Sequence, residues 1–402
     1  MTAALLRVLG AAAVAWTLTG TVAWAGQDPD PDPVPPGTVT FRSLRISPSL
    51  MINDMGVDNN VFNEPVNPKS DFTFTIAPRF DVRWRIRRLL LKYTSATDYV
   101  YFRKYSSERG TNRSSTARVE VDLGRLAPYA TIQGLNTKTR VNTEVDERAR
   151  HHDRGYTAGV AFKFASRTSV QVNGQHTKVE YEPDEEFRGV NLEESFNGRR
   201  RGLDVGLSVA LTPITSMTVS LAREEQRFEL SPERDSNSWR IAPTVTFPTI
   251  GVLTGSASVG YRRFEPLSPA VPAYSGLVSS VGIGATIYSR HQMVLFFQRD
   301  VQYSYDLEST YYVSTGGTVT WTWLLGGPID IRGTAGSTLM DYRQGQPSDT
   351  SMNYGGGVGY RFTNRARLGI NIDWMRRESS SSAEREYRNK RIFAGLSWGS
   401  TL

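Results

Sequence analysis

The sequence predicts an all-β protein, folded as a single antiparallel transmembrane β-barrel of about 18 strands, with about 16 as the alternative. Segments that alternate apolar and polar residues fill residues 42–402, and a period of two is typical of strands with one apolar face. The connections between these segments are alternately short and long. No later segment has the run of about 18 apolar residues that a membrane-spanning helix needs, which excludes a helical membrane protein.

The clearest strand is Phe72–Ile86. Its even-numbered positions are almost all apolar or aromatic, and its odd-numbered positions are mostly polar or charged. Many predicted strands have about 11 to 17 residues, whereas strands of soluble sheets usually have about five or six. A tilted membrane strand needs about 9–11 residues. Length and alternation together indicate one face toward lipid and one toward an aqueous lumen.

The predicted strands follow in pairs, joined by tight turns that contain Gly, Pro, Asn or Ser. In chain order they are Leu44–Met51, Phe72–Ile86, Leu89–Tyr105, Ser115–Leu123, Leu126–Asn136, Tyr156–Phe164, Thr168–Tyr181, Arg199–Leu211, Met217–Leu230, Trp239–Phe247, Val252–Phe264, Gly276–Tyr288, Met293–Tyr305, Tyr311–Trp323, Ile329–Tyr342, Asn353–Phe362, Arg365–Arg376 and Tyr387–Trp398.

The alternation of connection lengths predicts the orientation in the membrane. Outer-membrane barrels have short periplasmic turns and longer extracellular loops. With that rule the first strand starts and the last strand ends in the periplasm, which requires an even number of strands. The connections that are predicted to be extracellular are residues 52–70, 138–152, 182–198, 265–275, 343–351 and 378–385.

The N-terminal segment predicts export from the cytoplasm. Residues 1–25 have one charge, Arg7, then the apolar stretch Val8–Ala15 and the small-x-small site Ala23-Trp24-Ala25, which are the features of a cleaved signal peptide. An uncleaved membrane anchor is the alternative. Residues 26–41 follow as a Pro- and Asp-rich periplasmic tether, so the predicted location is the bacterial outer membrane, with cleavage after Ala25.

Composition narrows the classes of partner and chemistry. The chain has no cysteine, so no disulfide stabilises it. Its net charge of +7 is spread along the sequence, which does not suggest nucleic acid binding. The last predicted strand alternates up to Leu402, and it partly resembles the C-terminal signal that the barrel-assembly machinery reads. The predicted partners are therefore this machinery and outer-membrane lipid or lipopolysaccharide.

Short motifs near the mature N-terminus resemble a known family. These are Pro48-Ser49-Leu50, the segment 58–62 (DNNVF) and Ile76-Ala77-Pro78 inside a long strand. They are similar to the putative β-barrel porin 2 family of Gram-negative outer-membrane proteins, and the likeness spans nearly all of residues 42–402. The resemblance implies an outer-membrane barrel. Because some members are linked to exopolysaccharide export, it also implies contact with polysaccharide and with periplasmic export components.

No catalytic, cofactor or metal site is predicted. The histidines lack the partners of a catalytic or zinc site: His151 and His152 fall in a predicted loop, His176 near a strand end and His291 in a predicted turn. The oxygen-rich run of Asp54 and residues 58–60 lacks calcium-loop spacing, and Asn and Asp also favour turns. The glycine run at 355–359 lies inside a predicted strand, where no phosphate loop forms.

The polar parity of the strands gives a set of charges predicted to line the lumen, because charge on the lipid face is costly. They form either a solute-selecting pathway or an ion-pair network that braces the wall. Arg79, Arg83 and Arg85 are the strongest single-sign stripe. The full set is Arg79, Asp81, Arg83, Arg85, Lys92, Arg118, Glu120, Asp122, Arg240, Arg262, Arg361, Arg367 and Asp373.

These observations predict a non-enzymatic outer-membrane channel, with exopolysaccharide export as the main interpretation. A general or substrate-selective diffusion porin for small solutes is the alternative in the same class. A structural or adhesion barrel with a plugged lumen and an outer-membrane lipid hydrolase are the alternatives from other classes.

Overall fold

Eighteen long strands form one closed antiparallel barrel in the computed structural model. The structure describes residues 38–250, 252–306, 309–343, 348–380 and 383–399. The predicted signal peptide and most of the predicted tether lie outside these residues. The all-β fold class and the prediction of 18 strands rather than 16 are confirmed.

Each strand pairs with its neighbours in sequence, and the ring closes where the first strand pairs with the last, with Leu50 opposite Trp398. The barrel strands are β1 (Leu44–Asp58), β2 (Asp71–Ile86), β3 (Leu89–Phe102), β4 (Gly110–Val121), β5 (Leu126–Arg140), β6 (Arg148–Ala165), β7 (Thr168–Tyr181), β8 (Gly198–Thr212), β9 (Thr215–Phe228), β10 (Ser236–Ile250), β11 (Leu253–Pro266), β12 (Tyr274–Ile287), β13 (His291–Tyr303), β14 (Tyr311–Leu324), β15 (Ile329–Tyr342), β16 (Ser348–Thr363), β17 (Ala366–Ser379) and β18 (Tyr387–Trp398).

The connections alternate in length as the sequence predicts. Short turns join β2 to β3, β4 to β5 and the later pairs up to β16 and β17. Several have a residue with positive φ, such as Gly124 at 83° and Ser289 at 55°, which a tight reversal between antiparallel strands requires. The longer loops gather at the other end, where α1 (Leu192–Phe196) and the two-residue strands Glu186–Phe187 and Val190–Asn191 lie.

Several predicted boundaries were wrong. The first strand runs to Asp58 instead of Met51, through an irregularity between Asn53 and Gly56 that the alternation rule does not anticipate. The predicted loop 138–152 is only residues 141–147, because both flanking strands continue their pairing past the membrane-length segment. His291 starts β13 and does not lie in a turn. Residues 39–41, assigned to the tether, form a short strand paired with the start of β1.

The irregularity in β1 has a simple steric basis. A Cβ atom added to Gly56 would lie 2.0 Å from the carbonyl oxygen of Ile392 on β18. Only glycine therefore permits the close approach of β1 and β18 at the closure of the barrel. The preceding Asp54 has a φ of 55°, which marks the extra residues of a bulge.

Large apolar and aromatic side chains are exposed along the outside of the strands, among them Phe80, Trp84, Tyr261, Leu277 and Ile370. We call this exposed set the apolar band. The buried apolar clusters instead lie at the end that bears the long loops, around Val145 and Tyr305 and around Phe264 and Tyr311. Within the described residues no helix is long and apolar enough to span a membrane.

Candidate functional site

The predicted charges share the strand face opposite the apolar band. On β2, Arg79 and Arg83 alternate with the exposed Phe80 and Trp84. Consecutive side chains of a strand point to opposite faces. The same alternation on β17 places Arg367 opposite Ile370. This second face, which we call the charged face, is where the chain concentrates its polar chemistry within the strands.

Arg262 is the centre of the largest ion-pair network on the charged face. Its guanidinium lies 2.8 Å from Asp300 and 3.1 Å from Glu224. Arg240 lies 4.0 Å from Asp300, and Arg200 lies 3.8 Å from Glu224. The structure thus brings two of the predicted residues, Arg240 and Arg262, together on β10 and β11. Since every cation in this network has a carboxylate, the network braces the wall.

A second network joins β15, β16 and β17 near their short turns. The carboxylate of Asp330 is fully buried, and it accepts hydrogen bonds from Arg361 Nε at 3.1 Å and from Arg367 Nη2 at 2.7 Å. Two more predicted residues therefore share one acid. Asp330 is not in the predicted set, although its alternate position in Ile329–Tyr342 places it on the charged face.

Four cations stand directly opposite one another on β1–β4. Arg45 pairs in register with Arg83, Arg83 with Lys92, and Lys92 with Arg118. Opposed side chains have Cβ atoms about 4.5–5.5 Å apart, where like charges destabilise a sheet. We call these four residues the cationic row. Arg118 has a carboxylate partner, Glu120 at 3.3 Å, whereas Arg45 and Lys92 have no ion-pair partner in the described part of the chain.

The remaining predicted residues surround the cationic row. Arg85 and Asp81 flank Arg83 on β2, and Arg79 lies one alternate position beyond Asp81. Arg79 and Arg85 have no ion-pair partner among the described residues, whereas Asp81 and Arg83 each have one or more polar or electrostatic contacts. Cations therefore outnumber acids in this part of the charged face, in contrast to the network around Arg262.

The two further acids of the predicted set have different environments. Asp373 lies 3.1 Å from Arg391, so it belongs to an ion pair between β17 and β18. The prediction for Asp122 was wrong. This residue follows β4 in a short turn, and its Oδ1 accepts a hydrogen bond from the backbone N–H of Gly124 at 2.8 Å. An aspartate that begins a turn makes this contact by preference, so strand parity does not apply to it.

The long-loop end is crossed by loop segments that meet from distant strands. Residues 141–147 follow β5, and their Glu144 side chain accepts hydrogen bonds from Ser304 Oγ at 2.5 Å and from the backbone N–H of Tyr305 at 3.2 Å, both after β13. Those two strands are nearly opposite each other in the ring of 18. The ring of Phe187, after β7, meets the ring of Tyr305 at 4.7 Å. We call residues 141–147, 186–192 and 304–306 the mouth bridge.

Two buried arginines attach the mouth bridge to the wall. Arg377 on β17 donates to the backbone oxygen of Glu144 at 2.8 Å and to Asp349 Oδ2 at 2.7 Å. Arg234, between β9 and β10, donates to the backbone oxygens of Ser304 and Tyr305. Because Arg377 has the parity of the charged face and touches a loop from across the ring, the mouth bridge lies on the charged-face side of the barrel.

The carboxyl group of Glu144 is fully buried within the mouth bridge. Burial raises its pKa to about 7, against the opposing effect of the hydrogen bonds from Ser304 and Tyr305 and of the Arg377 charge. Desolvation disfavours the ionised form of a carboxyl group. Glu144 is therefore the group in this assembly whose charge changes near neutral pH.

The mouth bridge is not predicted from the sequence. Its residues occur in long polar connections, which alternation predicts only as exposed loops. The one local signal is the apolar pair Val141 and Val145 within an otherwise charged segment; Val145 is completely buried and Val141 packs against the same cluster. The contacts that define the bridge join residues about 160 positions apart, and no local pattern reports them.

The histidines and the oxygen-rich run are engaged in structural contacts. His151 lies within β6, contrary to its predicted loop position, and stacks on Tyr181 at 4.9 Å. His152 is in the same strand, so its loop assignment was also wrong. Asp58 accepts a hydrogen bond from Asn389 Nδ2 at 2.9 Å, and the backbone oxygen of Asn60 accepts another. These bonds join the first loop to β18.

Comparisons with known proteins agree with this architecture. The family model described as putative beta-barrel porin 2 matches residues 43–398. Comparison with curated protein sequences gives no significant match. The outer membrane protein OpdK from Pseudomonas aeruginosa is 10% identical, with a TM-score of 0.50 over 88% of this chain and 98% of that chain. A BenF-like porin from Pseudomonas fluorescens Pf-5 is 12% identical, with a TM-score of 0.49 over 88% and 98%.

At 10% identity the structure of OpdK shows a likeness of fold alone, that of an outer membrane protein. The family model carries the assignment, since it covers almost the whole of β1–β18. The chain belongs to the putative beta-barrel porin 2 family.

Proposed function

We propose that this protein is a selective diffusion porin that passes small solutes across the outer membrane and favours anions. The observation that carries the proposal is the cationic row of Arg45, Arg83, Lys92 and Arg118 on the charged face. In a closed barrel with lipid against its apolar band, the charged face lines the lumen.

The cationic row is costly unless something compensates it. Like charges directly opposite one another destabilise a sheet. Glu120 lies 3.3 Å from Arg118, whereas Arg45 and Lys92 have no ion-pair partner among the described residues. An anionic solute that passes along the row would lower this repulsion. Rings or rows of Arg and Lys are the means by which pores select anions.

The mouth bridge favours the hypothesis that small solutes pass through the barrel over the hypothesis that a polymer is exported. Its segments cross from strands on opposite sides of the ring, and Val145 and Leu192 are completely buried within it. A flexible polysaccharide needs a continuous wide exit, which this assembly narrows. The family description also names a porin. The alternative of a diffusion porin is therefore better supported than exopolysaccharide export, which nothing in the comparisons supports.

The proposal is tested by ion selectivity in planar bilayers. In a salt gradient, we expect the full chain to give a reversal potential whose sign indicates that anions pass more readily than cations. The double variant Arg83→Gln/Lys92→Gln removes the centre of the row and should lower the anion-to-cation permeability ratio several-fold. Insertion should be unchanged, because neither side chain faces lipid.

The matched control is Arg200→Gln/Arg240→Gln, which removes the same charge from the charged face elsewhere. Glu224 and Asp300 each keep Arg262 in this control, so the wall stays braced. We expect a much smaller change in selectivity than in the row variant. Equal changes in both variants would mean that net lumen charge sets the preference. An unchanged ratio in the row variant would show that the row only braces the wall.

A further inference from the structure

The outside of the barrel has a second row of like charges, on β6–β9. Arg154 pairs in register with Lys178, Lys178 with Arg199, and Arg199 with Arg227. These residues have the parity of the exposed Tyr156 on β6, so they point outward. We call Arg154, Lys178, Arg199 and Arg227 the outer basic row.

The outer basic row lies just beyond the apolar band, at the end with the long loops. On β8, Arg201 lies two positions further from those loops than Arg199, and it is opposite Glu225 on β9. Leu203 follows two positions later, opposite Arg223. The next outward pair is Val205 and Leu221, both exposed and apolar. The charge therefore ends where the lipid-facing surface begins. This level of an outer-membrane barrel meets the head groups of the outer leaflet.

Some cations of this surface have carboxylate partners and others do not. Lys178 lies 2.7 Å from Glu180 and 3.4 Å from Glu229. Arg227 lies 3.9 Å from Asp235. Arg154, Arg199 and Arg201 have no ion pair or hydrogen bond of the side chain in the part of the chain that the structure describes.

A cavity of about 200 Å³ opens within this surface, lined by Arg199, Arg201, Glu225 and Arg227. Arg227 is held in place, because it donates to the backbone oxygen of Ser236 at 2.8 Å and to Asn237 Oδ1 at 2.8 Å. The two unpaired guanidinium groups therefore face a small cavity beside a fixed third one. Planar guanidinium groups bind phosphate oxygens through paired hydrogen bonds.

We propose that the outer basic row and Arg201 form a binding site for the phosphate groups of an anionic lipid of the outer leaflet. The acyl chains of that lipid lie along the apolar band at Val205 and Leu221. The opposed cations repel one another when empty, and a bound phosphate removes that repulsion. The site is outside the barrel, so the inference goes beyond the proposed channel and does not depend on it.

The experiment measures binding of diphosphoryl lipid A to the purified full chain by native mass spectrometry in a zwitterionic detergent. The test variant is Arg154→Gln/Arg199→Gln/Arg201→Gln, which leaves the paired cations in place. We expect the affinity for lipid A to fall about tenfold, the change that loss of one strong charge-assisted hydrogen bond would cause. The single variant Arg199→Gln should show a smaller fall, and it keeps the test valid if the triple variant folds poorly.

The matched control is Arg167→Gln/Arg290→Gln/Arg365→Gln, which removes three exposed cations from short turns at the other end. It should bind lipid A as the native protein does. Dephosphorylated lipid A should bind weakly to the native protein, and inorganic phosphate at the same concentration should not displace diphosphoryl lipid A. Equal binding by the native and triple-variant proteins would overturn the proposal. So would equal binding of the dephosphorylated lipid, or displacement by inorganic phosphate, which would indicate a site for free phosphate.

Channel selectivity separates this inference from the proposed function. The triple variant should retain the anion preference of the native protein, because its substitutions lie on the outside of the wall. A variant that lost lipid A binding and kept its selectivity would support the lipid site alone.

Discussion

The mouth bridge and the cationic row differ in how their cations are compensated. At the mouth bridge Arg377 is buried and bonded to both Asp349 and the backbone of Glu144, and Arg234 is bonded to backbone oxygens after β13. At the cationic row near the short turns, Arg83 and Lys92 oppose each other and remain partly exposed. Arg45 and Lys92 of the row have no ion-pair partner among the described residues, whereas both arginines of the mouth have acceptors arranged to meet them.

This difference separates charges that hold the protein together from charges available to a solute. A buried cation must have acceptors, since an uncompensated buried charge costs several kcal/mol. A partly exposed cation can remain unpaired, because water or a passing anion compensates it. The networks around Arg262 and Asp330 belong with the mouth by this criterion. Pairing, rather than charge alone, therefore distinguishes the two kinds of cation, and the proposed function assigns selectivity to the second kind.

The largest expected effect comes from the mouth. Arg377→Gln leaves Asp349 without its closest cation and removes the donor to the backbone of Glu144. Breaking a buried ion pair by removing one member costs roughly 3–5 kcal/mol. We expect a lower free energy of unfolding in urea and faster proteolysis within residues 141–147.

The neighbouring residue provides the control. Arg376 is half exposed on the opposite face, and among the described residues its one ion-pair partner is Glu378. Arg376→Gln should change the free energy of unfolding by less than about 1 kcal/mol, the usual contribution of an exposed ion pair. Similar effects of both substitutions would contradict the contrast between buried and exposed cations.

The fold could be predicted from the sequence because its main determinant is local. A period of two along Phe72–Ile86 places Phe80 and Trp84 on one face and Arg79 and Arg83 on the other, and one-residue errors would invert the whole strand. The strand ends were less predictable. Strand pairing extends to Asp58 in β1 and includes His151 in β6, which is beyond the length that the membrane requires. The alternation rule therefore ends β1 too early and begins β6 too late.

The site was predictable only where it follows strand parity. Arg83 and Lys92 were identified, but the register that places them opposite each other depends on turn length, which the sequence fixes only within a residue or two. The mouth bridge depends on contacts between loops about 160 residues apart. Loop conformation has no periodic signal, so the sequence does not distinguish Glu144 from other loop charges.

The next prediction tests which face of the strands meets lipid, because the mouth bridge and the cationic row both depend on that assignment. Phe80→Arg places a charge in the apolar band near the middle of β2, at an expected cost of roughly 2–4 kcal/mol. Arg79→Glu, one residue earlier, keeps charge on the charged face and should insert normally. Heat-modifiable mobility on gels measures the folded fraction. Normal folding of Phe80→Arg together with failure of Arg79→Glu would show that the faces are reversed.

The smallest expected effect concerns pH at the mouth. The pKa of Glu144 is raised by burial from 4.5 to about 7 in the folded protein. A raised pKa means that protonation favours the folded bridge. The contribution of Glu144 to the free energy of unfolding is fully present below about pH 4.5, and it is lost as pH rises through about 7. The shift corresponds to at most roughly 3 kcal/mol.

Glu144→Gln keeps the shape of this side chain and removes its titration. We expect proteolysis within residues 141–147 of the native protein to be faster at about pH 8 than at about pH 5, with a parallel rise in conductance, because the ionised carboxylate loosens the mouth bridge. In Glu144→Gln both quantities should vary little between these pH values. Glu144 lies outside the cationic row, so ion selectivity should stay constant while conductance changes. If the variant kept the native pH response, a group other than Glu144 would control the mouth.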